Sequence, residues 1–168
     1  AGGLPSSPEA LEAWEAYVDA TVQRFGKYVD EWEIWNEPRT GRGKGSQVYA
    51  KFAARTAEVI QRRQPEARFM FAAGGAFDTT FVQEMLAWLR DHGKLSLVNE
   101  VVYHPYSYNP DDSYARVAEL RKIVRSFSPE ITLRQNENGV PSRVGSFGAV
   151  SDYDWTALRQ ANWATRRL

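Results

Sequence analysis

Two glutamates stand out by the company they keep. Glu37 lies in Trp35-Asn36-Glu37-Pro38 and Glu137 in Gln135-Asn136-Glu137-Asn138-Gly139. Each carboxyl has amide side chains beside it in sequence, and a Pro or a Gly within the next two positions stops regular structure. Two carboxyl groups facing one another can divide acid and base work when one is held protonated and the other ionised, which is what cleavage of a glycosidic bond requires. An asparagine beside an acid can donate to a sugar hydroxyl while leaving the acid free to move protons, which a lysine there could not do. A lone strand-end glutamate reads as a solvated loop residue or a helix cap. The matched contexts of these two argue against that for the pair.

Between them lies Tyr103-His104-Pro105-Tyr106. His104 and Tyr106 share strand parity, so they can reach one cleft. Tyr106 can donate to an ionised nucleophile and His104 can hold a sugar hydroxyl or a carboxylate; a loop cap and a core tyrosine are the alternatives. Glu33 shares parity with Trp35 and Glu37 and reads either as a buried, cation-paired acid or as part of a polar inner layer. Trp35 either packs beneath the site or contributes to a sugar subsite. His92 precedes Gly93 at a helix end, where the helix dipole accounts for it, and Arg62-Arg63 and Arg166-Arg167 close helices as surface cations. Asn109-Pro110-Asp111-Asp112 reads as a turn and helix cap rather than a calcium loop.

The elements that must position these groups alternate regularly. Ser7-Pro8-Glu9 opens a helix over 8–26, with Ser7 as cap and Pro8 in the first turn. The β-favouring run Val29 to Trp35 predicts a strand. A Gly-rich loop, Thr40 to Ser46, leads to a helix from Gln47 to Arg63. The cycle repeats as Phe69 to Ala73, then a helix from Thr79 to His92; as Val101 to Tyr103, a loop to Asp112, then a helix from Ser113 to Ser126; and as Ile131 to Gln135, a loop to Ser151, then a helix from Asp152 towards Leu168 that carries Trp155 and Trp163 as core residues. Strands separated by helices imply right-handed crossovers and a parallel α/β sheet, read here as one domain over 1–168. The chemically unusual residues all lie after strands, where α/β folds carry their sites. A barrel and an open doubly wound sheet both satisfy that rule, and no Gly-rich phosphate loop supports the second.

Composition narrows the classes of partner. Basic and acidic residues balance at 21 each with no basic stripe, so nucleic acid and anionic membrane are not expected partners and a neutral substrate is. Without cysteine there is no disulfide, thiolate metal site or thiol nucleophile, and two histidines do not make a His-rich metal site. No apolar run approaches the ~20 residues that span a bilayer. Aromatic residues make up 13% of the chain, a supply that serves core packing first and stacking against sugar faces second.

Trp32-Glu33-Ile34-Trp35-Asn36-Glu37-Pro38 closely resembles the fourth-strand signature of the large clan of retaining glycoside hydrolases built on (β/α)8 barrels. The resemblance implies that Glu37 is the acid/base. His104-Pro105-Tyr106 resembles the His-x-Tyr that often ends the sixth strand of that clan, and Glu137 matches the seventh-strand nucleophile in order and context. The helix carrying Trp14, Tyr17 and Phe25 is similar to that of the β-xylosidase and α-iduronidase group. The fold implied by the resemblance is a parallel half-barrel equivalent to strands four to seven of a TIM barrel, completed either by the remainder of a longer chain or by a second copy in a homodimer. The implied reaction is double displacement on a carbohydrate with carboxyls about 5 Å apart and no metal or organic cofactor. Asn36 would bind the hydroxyl next to the reaction centre, Tyr106 would orient Glu137, and His104 would line the sugar pocket. A secreted or periplasmic location is slightly favoured. Two rivals stand beside this reading. One is an inactive carbohydrate-binding or structural barrel fragment; the other is an isomerase or aldolase, which would need a strand-end lysine or a metal cluster, whereas Lys44, Lys51 and Lys94 fall in loops or helices.

Overall fold

The computed structural model describes residues 3–75 and 77–167. In chain order these form α1 (Pro8–Phe25), β1 (Glu31–Glu33), α2 (Lys44–Arg63), β2 (Arg68–Ala72), α3 (Thr79–Asp91), β3 (Glu100–Tyr103), α4 (Tyr114–Phe127), β4 (Thr132–Gln135) and α5 (Ala157–Arg167), with 3-10 turns at Leu95–Leu97 and Pro110–Ser113. The strands form one sheet in the order β1-β2-β3-β4, every neighbouring pair parallel.

Local chemistry explains most boundaries. Ser7 Oγ accepts from the Ala10 amide at 3.1 Å, capping α1 with Pro8 in its first turn. β1 is shorter than the run Val29 to Trp35; one further rung, Ile34 N to Met70 O at 3.1 Å, extends the ladder before the chain turns at Asn36-Glu37. α2 begins at Lys44 rather than Gln47 because Glu84, on α3, accepts from Gly43 N at 2.6 Å and from Ser46 Oγ at 2.8 Å. A carboxylate is thus supplied from another helix to the positive end of α2, and Gly43 takes the positive φ of 64° that the entry needs. α5 begins at Ala157, five positions after the expected Asp152, because residues 152–156 fold back on their own loop: Trp155 Nε1 donates to Val150 O at 2.6 Å. Trp155 therefore precedes the last helix, though it is buried with Trp163 and Val140 in a small second cluster. The expected end at Leu168 lies outside the described residues.

The helices cover one face of the sheet. Phe69, Phe71 and Val101 point into them and are buried with Tyr49, Ala53 and Ala57 of α2 and Met85, Leu86 and Leu89 of α3. Each fully buried large side chain contributes about 1.5–3 kcal/mol, so this interface carries most of the stability. The opposite face carries a charged cluster alongside the apolar Met70, Ala72 and Val102. Arg134 donates to Glu31 at 2.8 and 3.1 Å and to Glu100 at 2.6 and 2.8 Å, while Arg68 lies 3.4 Å from Glu100 and 3.5 Å from Glu31. Glu100 is buried, and two guanidiniums meet its charge.

That cluster also reveals the sheet's curvature. In a flat sheet the outer strands β1 and β4 would be roughly 14 Å apart, yet Arg134 of β4 and Glu31 of β1 share a two-pronged ion pair. The sheet curls about the face that carries this cluster, with helices outside, as an α/β half-barrel. β1 and β4 form its open edges among the described residues.

Candidate active site

The curl brings the rims of all four strands together. Glu37 comes after β1, His104 and Tyr106 after β3, and Glu137 after β4, all at C-terminal strand ends. Although the two acids come from opposite edges of the sheet, one oxygen of each and a ring nitrogen of His104 lie within 4.8 Å of one another. His104 Nδ1 is 2.9 Å from Glu37 Oε1 and 3.7 Å from Glu137 Oε2, which suits an Nδ1–H tautomer donating to Glu37. The Tyr106 hydroxyl donates to Glu137 Oε1 at 2.7 Å.

The two carboxyls sit in different surroundings. The Glu37 side chain is 17% exposed and the Glu137 side chain 44%. Glu37 has a left-handed backbone, φ 45°, although a proline comes next. A residue before proline favours extended backbone, so this conformation stores strain of about 1–3 kcal/mol and holds the carboxyl on the rim. Pro38 is buried and His104, 4% exposed, fixes the carboxyl from the other side. Burial, and after it the bond to Glu137, pushes the Tyr106 phenol up to about 12, so it remains a donor at neutral pH.

Beneath the pair, Asn136 donates to Glu33 Oε2 at 2.6 Å, while Glu33 Oε1 is buried without a partner. The amide of Asn136 is thus turned inward to hold the inner layer, not outward to a ligand as its position beside Glu137 suggests. Glu33 has no cation partner among the described residues; it belongs to the polar inner layer. Burial raises its pKa above the ordinary carboxylate value of 4.5. A raised carboxyl favours the folded state fully below the unfolded value and loses that contribution as pH rises through the folded one. Glu33→Gln keeps an acceptor for Asn136 and removes the charge that burial opposes. Its expected effect is a higher unfolding temperature at neutral pH and a shallower decline above pH 4.5, measured by thermal unfolding across pH; an unchanged decline would show that Glu33 is not the group titrating.

The other expected site residues divide. Asn36 is exposed on the rim beside Glu37. Trp35 is turned away: its ring meets Trp14 at 5.4 Å and Phe52 at 5.6 Å, in the helix layer. Strand parity would send it inward, but β1 has already ended, so Trp35 is a packing residue and not part of a subsite. Arg39, which nothing in the motif singles out, brings a guanidinium 3.4 Å from Glu37 Oε2; its only sequence signal is its place directly after Pro38. Arg166 and Arg167 are not idle surface charges. Arg166 pairs with Asp111, and Arg167 donates to Ser113 Oγ at 2.5 Å and to the Pro105 carbonyl at 3.1 Å, tying α5 to the loop that carries Tyr106. Asn109 caps the turn it begins, accepting from Asp111 N at 3.3 Å. His92 Nδ1 lies 2.8 Å from the Trp88 carbonyl at the end of α3.

This arrangement can move a proton at Glu37 and present an oxygen nucleophile at Glu137 on the same open rim. A depression of about 380 Å³ begins at Tyr106 and runs past Asn138 and Phe147. The trio of Glu37, His104 and Glu137 also offers two carboxylate oxygens and one imidazole nitrogen to a single divalent cation. No family model matches the chain, and no curated protein matches it.

Proposed function

We propose that the chain is the catalytic part of a retaining glycoside hydrolase, with Glu137 as nucleophile and Glu37 as acid/base. The observation that carries this reading is that one oxygen of Glu37 and one of Glu137 come within 4.8 Å of each other across a curled sheet. Retaining enzymes place their acids about 5–5.5 Å apart, while inversion needs about 6.5–9.5 Å to admit a water between them. The motif around Glu37 and the strand order of Glu37, His104-Pro105-Tyr106 and Glu137 support the same clan and, within it, the β-xylosidase and α-iduronidase group.

Each residue has its own share of the work. Glu137 attacks the anomeric carbon while Glu37 gives its proton to the departing oxygen, leaving a glycosyl ester on Glu137. Glu37, now ionised, takes a proton from water, and that water displaces Glu137 and releases the sugar with its original anomeric configuration. Tyr106, by donating to Glu137 Oε1, holds that carboxyl in place as nucleophile. His104 sets the orientation of Glu37. Asn36 stands free on the rim to bind the hydroxyl next to the reaction centre, and no step calls on a metal.

Tyr106→Phe removes a hydrogen bond to a charged group, so kcat falls by about 10- to 100-fold. Steady-state kinetics would check this; unchanged turnover would remove Tyr106 from the site.

A second reading has its own support. Among the described residues β1 and β4 have no strand partner on their outer sides, as in a carbohydrate-binding fragment without turnover. The two are separated by assaying 4-nitrophenyl β-glycosides at an oligomeric state measured by light scattering, with the configuration of the first-formed sugar monitored by proton NMR. Hydrolysis with retention that survives EDTA supports the glycosidase. Sugar binding without hydrolysis supports the second reading, and hydrolysis with inversion overturns the assigned mechanism.

A further inference from the structure

The loops after β3 and β4, which carry Tyr106 and Glu137, also build a second feature that the proposed reaction does not use. Tyr108 and Tyr153 are 46% and 47% exposed, with ring centroids 5.7 Å apart. Exposed aromatic rings on loops are usually free to move, but these are fixed. The Tyr108 hydroxyl donates to Asp152, which joins the two loops, and the edge of Tyr153 meets the buried Trp155 at 5.0 Å. The buried Trp163 donates from Nε1 to the Ser107 carbonyl at 3.0 Å, anchoring the same loop from below. The rings border a depression of about 300 Å³ whose wall also includes Asn162, Arg159 and Arg166.

Both guanidiniums in the wall of this depression are met by carboxylates. Arg159 is 2.7 Å from Asp154, and Arg166 pairs with Asp111. No excess field invites an anion or a cation. Asn162 is exposed and its side chain has no hydrogen-bond partner among the described residues. Two rigid aromatic faces, a free amide and neutralised guanidiniums match a ligand with flat apolar faces and a polar edge but no charge. A pyranose ring has that form, with C–H groups on its faces and hydroxyls around its rim, and the two tyrosine planes, inclined at 57°, wall one end of the depression.

We infer that Tyr108, Tyr153 and Asn162 form a non-catalytic binding site for a neutral oligosaccharide, separate from the two acids. The choice of a sugar among neutral polar ligands rests on the glycosidase reading; the site's geometry does not.

The test is a titration of the Glu137→Gln chain, which cannot turn over its ligand, with xylohexaose and with cellohexaose, watching indole N–H signals by NMR. At least one probe is expected to shift the Trp155 and Trp163 signals. Tyr153→Ala is expected to weaken that binding about tenfold, Tyr153→Phe to retain it, and the rest of the spectrum to report that each variant is folded. Indole signals unmoved by both probes overturn the proposal, as does binding that survives Tyr108→Ala combined with Tyr153→Ala. Shifts produced only by trigalacturonic acid overturn the assignment to a neutral ligand. Hydrolysis by the parent chain is read separately, so loss of the catalytic reading and loss of this site give different results.

Discussion

Glu137→Gln lowering kcat/KM by on the order of 10⁴- to 10⁶-fold, with the fold intact, is the largest expected effect. The amide has nearly the shape of the carboxylate and can still accept the Tyr106 hydrogen bond at Oε1, so structure is not what changes. What disappears is the electron pair that forms the ester with the anomeric carbon. Because the lost group is chemical and not positional, the deficit is independent of the leaving group. A small anionic nucleophile such as azide, given room by Glu137→Gly, is expected to restore turnover and yield a glycosyl azide of inverted configuration. Steady-state assays with the parent and both variants provide the check. A loss of less than about tenfold in Glu137→Gln would mean that this carboxyl does not form the bond.

The second large effect belongs to Glu37 and has a different signature. Glu37→Gln removes proton transfer, which is worth about 10²–10⁴-fold, but only to the extent that the departing oxygen needs a proton. With an alkyl or sugar leaving group the full loss is expected. With 2,4-dinitrophenolate, which leaves readily without help, the first step is nearly spared and the ester on Glu137 accumulates, so a burst of phenolate release precedes a slow steady state. The substitution keeps an acceptor for His104 and the same strained backbone at position 37, so circular dichroism should match the parent. Equal losses with both kinds of leaving group would contradict a proton-transfer role.

The contrast between these two acids shows how far the sequence could be read. The four strands and their alternation with helices were legible because Phe69, Phe71 and Val101 form short apolar runs between helical segments and capping residues such as Ser7 act locally. The places of Glu37, His104, Tyr106 and Glu137 at strand ends emerge from the same pattern. Their convergence does not. It depends on the curl of the sheet, held by Arg134, Arg68, Glu31 and Glu100, whose partners lie up to 103 positions apart in the chain. The early start of α2 is hidden for a similar reason, since its capping carboxylate comes from Glu84 on the next helix. Strand parity misplaces Trp35 because it is carried past the last rung of β1, where the chain already turns towards the positive φ of Glu37. Arg166 and Arg167 look like dipole-complementing charges because helix-end position is local information, while their partners Asp111, Ser113 and Pro105 are not. Long-range polar contacts, more than the apolar core, are hidden in the linear sequence.

The most direct measurement is covalent trapping of the nucleophile. A 2-deoxy-2-fluoro glycoside with a dinitrophenolate leaving group slows both steps by withdrawing electrons from the reacting centre, while the good leaving group lets the first step proceed. The ester on the enzyme then persists long enough for peptide mass spectrometry. Double displacement through Glu137 predicts one fluoro-glycosyl group per chain, located on the peptide containing Glu137 and absent from Glu137→Gln. A label on any other residue, or hydrolysis of the parent glycoside with no covalent species at all, would contradict it.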